Sequence, residues 1–313
     1  MIMTAPFFFL IDFEQQQQIV IPLSAAAEQG IYFDLHGVNN VPDTFVKPKA
    51  PLSLATKAIN FADYQRGFNL VQSEIQRGNS YLLNLTYPTK IETNYSLVDI
   101  FTASAAPYKL LYQDKFVCFS PECFVRIQDD KIYTYPMKGT IDASLPNAQA
   151  QLLSSQKEQW EHNTIVDLLR NDLAMVASNI QVSRFRYSEL IETERGAIWQ
   201  TSSEICGDLT PHWRDDPLAL IKRMLPAGSI SGAPKEKTVE IIQQAEQQPR
   251  GFYTGVFGYF DGNCLESAVI IRYIEQTATG MQFRSGGGIT RHSTLASEYE
   301  ELLAKVYIPT KKS

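Results

Sequence analysis

The sequence has no apolar run approaching the roughly 18 to 20 residues that a helical membrane span needs. It also has no stripe of Lys and Arg of the kind that phosphate backbones draw on. Its 28 Lys and Arg are outnumbered by 34 Asp and Glu, for a net charge of -6. Neither a membrane nor a nucleic acid is therefore expected as a partner. Cysteine is scarce, and Cys118, Cys123, Cys206 and Cys264 include no C-x-x-C pair, so reduced thiols and a cytoplasmic setting are expected rather than a disulfide framework. His36, His162, His212 and His292 lack metal-ligand spacing, which disfavours a zinc site. The apolar run Pro6 to Ile11 has no basic residue before it and is followed by Asp12 and Glu14, so a buried strand is expected there and not a signal peptide. No internal repeat interrupts the chain.

What is present is a chain of 313 residues, 44% of them hydrophobic, enough to bury a large core without staples. Residues 1–60 read as N-terminal strands near 6–13 and 18–23, with Gln15 to Gln18 as the loop between them. A connection containing Pro42, Pro48 and Pro51 leads from there into a main domain, 61–313. Helical patterns fall at 61–77, 96–104, 155–176, 216–224, 234–247 and 294–306, the third opening with Ser155-x-x-Glu158 in capping-box form. Strand patterns lie between them in runs, without regular βαβ alternation. The expected class is α/β in the α+β sense, with antiparallel sheets flanked by helices.

Three constellations carry chemistry. Ser120-Pro121-Glu122 and Pro136-Met137-Lys138-Gly139-Thr140 bracket a hairpin whose loop, if centred on Asp130, places Glu122 opposite Lys138. A desolvated lysine beside a carboxylate is a nucleophile in waiting; a surface ion pair explains the same spacing. Glu158 and Glu161 share a face of one helix, and Glu298, Glu301 and Lys305 flank the apolar stripe Leu295, Tyr299, Leu302 and Val306 of another. Carboxylates from two helices meeting at one point suit Mg2+, while solvated helix faces are the plainer alternative. Gly228 to Lys235 and Ser285 to Ile289 are glycine-rich, which allows positive φ and close approach of backbone to an anion. A tight turn accounts for the pattern equally well.

Taken in order, these strings resemble the chorismate-utilising family of anthranilate synthase component I, aminodeoxychorismate synthase component I, isochorismate synthase and salicylate synthase. The matching strings are Ser120-Pro121-Glu122, Glu161-His162 with Ile165 to Asp172, Pro226 to Lys235, Gly258-Tyr259, Ile271-Arg272, Gly286-Gly287-Gly288 and Glu298 to Glu301 with Lys305. They run from about Asp63 to Tyr307. Within the family, Lys138 before Gly139-Thr140 resembles the aminodeoxychorismate synthases, where most other members carry alanine. Leu82 stands where the water-using members carry a lysine, and an aliphatic side chain cannot accept a proton, so formation of isochorismate or salicylate is disfavoured. Gln200 replaces a family histidine.

The resemblance implies two large antiparallel sheets packed together and wrapped by helices, and an amination of chorismate on the way to para-aminobenzoate and folate. It implies Lys138 as nucleophile and Glu122 as acid. It also implies Mg2+ on Glu161 and Glu301 with Glu158 and Glu298 in support. Arg272, Lys305, Tyr253 and the amides of Gly286, Gly287 and Gly288 would hold substrate carboxylates, with Gly139, Thr140, Gln200 and Ser231 completing the substrate pocket. Ammonia is expected from a glutamine amidotransferase subunit, since this chain shows no Cys with His and acid in that arrangement. Regulation by tryptophan is not expected, because the long N-terminal extension that carries it in relatives is missing here. Anthranilate synthase component I and a catalytically silent chorismate-binding subunit are the alternatives.

Overall fold

The structure is a computed structural model that describes residues 5–193 and 196–310. Phe7–Ile11 is buried at every position, and the alternation of strand side chains explains why. Phe7, Phe9 and Ile11 face one core while Phe8 and Leu10 face another. This strand belongs to a sheet of nine antiparallel strands. Along its main path the order is Met137–Asp142, Gly196–Asp208, Lys131–Thr134, Cys123–Gln128, Leu265–Val269, Val256–Phe260, Phe7–Ile11 and Gln18–Pro22, with Ser178–Thr193 beside Gly196–Asp208. A second nine-stranded antiparallel sheet has Leu82–Thr93, Gly280–Thr290, Tyr273–Thr277, Phe116–Ser120, Tyr108–Tyr112 and Ile31–Leu35 as its body. The two sheets pack face to face through Phe8, Leu10, Phe257 and Ala268 of the first and Phe33, Leu110, Phe116 and Cys118 of the second.

Helices cover the outer faces. Gln156–Ala174 sets Val166, Leu169 and Leu173 against the first sheet, while Phe61–Gln76, Lys235–Glu246 and Leu302 of Leu295–Ala304 close the second. The expected α+β architecture is thus present, and residues 1–60 supply strands to both sheets rather than standing apart. All four cysteines are free. No helix among the described residues is long and apolar enough to cross a membrane.

Beyond its short pairing with Gly232–Ala233, the strand Leu82–Thr93 turns backbone groups toward a buried ion pair. Glu246 accepts from the Thr86 amide at 2.9 Å, and Arg250 donates to the Asn84 carbonyl and to both Glu246 oxygens. Both side chains are 1% exposed, so each satisfies the other and together they stand in for a neighbouring strand.

Two sequence expectations need correction. The hairpin turns on the two residues Asp129 and Asp130, both at positive φ, and pairs Gln128 with Lys131. Its ladder ends at Tyr133 opposite Arg126, and Pro136, with no amide to donate, follows the strand's end at Thr134. Met137–Asp142 continues along Gly196–Asp208 and carries Lys138 away from Glu122. Residues Gly286 to Gly288 are likewise not a loop: they lie extended inside Gly280–Thr290, without positive φ.

Candidate active site

The chain crosses from one sheet to the other twice at the same place. Between Phe116–Ser120 and Cys123–Gln128 it passes through Pro121 and Glu122; between Leu265–Val269 and Tyr273–Thr277 it passes through Arg272. The crossings are tied together, the Val269 amide donating to the Glu122 carbonyl and the Phe119 amide to the Arg272 carbonyl, each at 3.1 Å. Glu122 and Arg272 are thereby presented at the seam of the sheets, where a cavity of about 1360 Å³ opens.

Lys138, Gly139 and Thr140 form one wall. The Lys138 carbonyl accepts from the Thr201 hydroxyl, and His162 Nδ1 lies 3.4 Å from it. His162 Nε2 sits 2.7 Å from Ser203 Oγ, consistent with the tautomer that carries its proton on Nδ1. His162 is fully buried and its pKa is lowered by desolvation, so it serves as a neutral fixture of the lysine's backbone. The Lys138 ammonium itself ion-pairs with Glu161 at 3.2 Å. Gly139, at φ +93, lies where a β-carbon would come within 2.7 Å of Glu158 Oε2, so glycine is what lets that carboxylate approach the strand. Ser155 caps the helix by accepting from the Glu158 amide at 3.4 Å, while the Glu158 carboxylate turns toward Gly139.

The opposite wall comes from Gly280–Thr290 and the last helix. Thr86 and Asn84, the partners of Gly286 and Gly288 in the ladder, point their own backbone groups toward Glu246 and Arg250. These two pairs are therefore the non-hydrogen-bonded ones, and the amides of Gly286 and Gly288 face the other edge. That edge has lost its neighbour, because Tyr273–Thr277 stops opposite Arg284. Lys305 Nζ donates to the Gly286 carbonyl there at 2.8 Å and pairs with Glu301 at 2.7 Å. Arg272 donates to the Lys305 carbonyl at 3.0 Å. Two amides, an ammonium and a guanidinium thus share one end of the cavity, a set of donors suited to carboxylate oxygens. Tyr253 also lines it, its phenol pushed up to about 12 by burial.

Glu158, Glu161, Glu298 and Glu301 all line the cavity. Their chemistry fits a hard cation: Glu298 Oε2 is buried without a hydrogen-bond partner, and a β-carbon on Gly287 would lie 3.0 Å from it and 3.2 Å from Glu301 Oε1. Burial, reinforced by Glu301, raises the Glu298 pKa. Burial acts the same way on Glu301, but Lys305, Lys138 and Lys157 outweigh it and lower that carboxyl. The two acidic pairs do not meet at one point, however. Among the described residues no three acids or histidines converge closely enough to hold a metal ion, and lysine ammoniums engage Glu161 and Glu301 directly.

Glu122 is held by the Ser229 hydroxyl, which donates to Oε1. Desolvation raises its pKa, opposed by Ser229 and by Lys305. Ser229 was not singled out by the sequence; its neighbour Ser231 is fully buried and donates to the Ala227 carbonyl at 2.8 Å, within the turn rather than into the cavity. Gln200 sits partly buried on Gly196–Asp208, directly across from Thr140 on the strand beside the lysine's. Leu82 lines the cavity beside Gly288.

A family model described as chorismate binding enzyme matches residues 8–311. The chain is 61% identical over 304 residues to an uncharacterised PabA-like protein of Pasteurella multocida, covering 97% of this chain and 94% of that one. It is 30% identical over 262 residues to aminodeoxychorismate synthase component 1 of Salmonella typhimurium, covering 78% of this chain and 56% of that one. It is 28% identical over 317 residues to anthranilate synthase component 1 of Aquifex aeolicus, covering 92% and 63%. A 2,3-dihydroxybenzoate-specific isochorismate synthase structure from Bacillus anthracis superposes with a TM-score of 0.72 at 20% identity, covering 96% of this chain and 82% of that one, which speaks for the fold.

Proposed function

The chain belongs to the chorismate-binding enzyme family, and within it we propose that it is an aminodeoxychorismate synthase component 1, converting chorismate and ammonia to 4-amino-4-deoxychorismate. The observation that carries this reading is the Lys138 ammonium, held by its backbone at the cavity wall while Glu122 enters the same cavity from the sheet crossing. A lysine so fixed suits covalent catalysis. A carboxyl whose hold on its proton is strengthened by desolvation suits a proton donor.

In the proposed sequence the Lys138 ammonium gives up a proton to solvent, and its amine bonds to ring carbon C2. Glu122 passes its proton to the C4 hydroxyl, which departs as water as both ring double bonds shift, and the new ammonium at C2 releases its extra proton. Ammonia then bonds to C4, both double bonds return, and the lysine leaves C2 as the free amine, taking up the proton that the incoming nitrogen gives off. Arg272, Lys305 and the amides of Gly286 and Gly288 would hold the substrate carboxylates throughout. Glu161 and Glu301, with Glu158 and Glu298 in support, would hold Mg2+ only once the two acidic pairs draw together and Lys138 and Lys305 release them; when bound it would supply positive charge against the ring carboxylate. Leu82 offers no base to activate water, in keeping with ammonia as the incoming group. Ammonia would come from a glutaminase partner, and the place of action would be the cytoplasm. Incubation with chorismate, an ammonium salt and Mg2+, followed by product analysis, tests the reading: aminodeoxychorismate supports it, anthranilate points to the lyase, and unchanged chorismate to a silent binding subunit.

A further inference from the structure

The turn Gly228–Ser231 meets the cavity at Ser229 and Ile230, with the Ser229 hydroxyl donating to Glu122, and its backbone is fixed from behind. Asp172, buried on the helix Gln156–Ala174, accepts from the Gly228 amide at 2.8 Å and ion-pairs with Lys235 at the same distance. Lys235 also donates to the Met224 carbonyl, and Arg250 to the Ile230 carbonyl at 3.0 Å. A β-carbon on Gly228 would stand 2.7 Å from Asp172 Oδ2, so that contact admits only glycine. An anchored backbone on three sides leaves the Ser229 side chain little freedom except toward Glu122.

We propose that Ser229 is a positioning residue for the proton donor: its hydroxyl, fixed by Asp172 and Lys235 through Gly228, aims the Glu122 carboxyl into the cavity. The inference rests on the acid role given to Glu122 above. A hydroxyl donating to a carboxyl oxygen stabilises the ionised form, so Ser229 works against the rise that desolvation causes. The other groups facing this carboxyl are the Lys305 ammonium, which acts in the same direction, and the neutral, buried thiol of the next residue, Cys123. Lys138 lines the same cavity but is engaged with Glu161.

The test is a pH titration of the Glu122 carboxyl by infrared difference spectroscopy on the whole chain, with Glu122→Gln as the blank. This measurement needs neither substrate nor turnover. Ser229→Ala should move protonation of Glu122 to higher pH by about one unit, the scale of one hydrogen bond to a charged group. Ser229→Thr, which keeps the hydroxyl, should leave it near the wild-type position. In turnover, Ser229→Ala should lower kcat about tenfold with KM little changed. An unmoved titration in Ser229→Ala, or an equal shift in Ser229→Thr, overturns the inference. Failure of the acid role itself would appear separately, as full turnover in Glu122→Gln.

Discussion

Glu122 and Lys138 face one cavity from different sheet elements and bind different partners: Ser229 donates to Glu122, and Glu161 pairs with Lys138 at 3.2 Å. The acid and the amine therefore do not neutralise each other. Each can be altered with the other left in its setting.

The first prediction concerns the acid. Desolvation raises the Glu122 pKa in the folded chain, so the folded state binds this proton more tightly than the unfolded one. Stability from that proton is fully present below the ordinary glutamate value of about 4.3 and is lost as pH rises through the folded value. Glu122→Gln should therefore melt at the same temperature as wild type in acid and at a higher one near neutral pH. Turnover should fall by about a hundredfold or more. A lower melting temperature for the variant at neutral pH would contradict the burial argument.

The second concerns the cation. Glu161→Gln and Glu301→Gln preserve shape but remove a charged oxygen, so turnover should drop about a hundredfold or more while the melting temperature changes little. Mg2+ should raise the melting temperature of wild type and not of the variants. Full activity in excess EDTA would end the Mg2+ assignment.

Strand and helix positions were largely legible in the sequence, because apolar periodicity records which face is buried. Phe61–Gln76 and Leu295–Ala304 lie within two residues of their expected bounds. What failed was long-range. The long strand Ser178–Thr193 leaves no continuous alternation in the sequence, because register shifts and the positive φ of Arg186 break it. Nothing local distinguishes Ser229 from Ser231, since only the approach of the Pro121–Glu122 crossing makes one of them functional. The glycines Gly286 to Gly288 resemble a loop in isolation, and their role as an open strand edge depends on where a neighbouring strand stops.

The third prediction tests the buried pair that stands in for a strand. Arg250→Met leaves Glu246 charged and unpaired at 1% exposure, which should cost about 3 to 5 kcal/mol in urea unfolding. A loss under about 1 kcal/mol would mean that the Asn84 and Thr86 backbone finds other partners.

The fourth concerns nitrogen. If ammonia arrives from a separate glutaminase, the purified chain should aminate chorismate with ammonium salts and do nothing with glutamine until that partner is added. Glutamine-dependent turnover by the chain alone would refute this supply.

The last prediction separates covalent from electrostatic use of Lys138. If its amine makes the first bond to the ring, Lys138→Ala should cost several powers of ten in rate, as loss of a nucleophile commonly does. If the ammonium only balances Glu161, to which it is paired at 3.2 Å, the same change should cost about tenfold or less, because a partly exposed ion pair contributes little. The covalent route also predicts a species that the electrostatic one lacks. With chorismate and Mg2+ supplied and ammonia withheld, an adduct minus one water should accumulate on Lys138, visible by intact mass and located by peptide mass spectrometry. A mild rate loss with no adduct would remove the covalent step and return an anthranilate-forming reaction to contention, since that chemistry needs the acid at Glu122 and the cation but no amine from the protein.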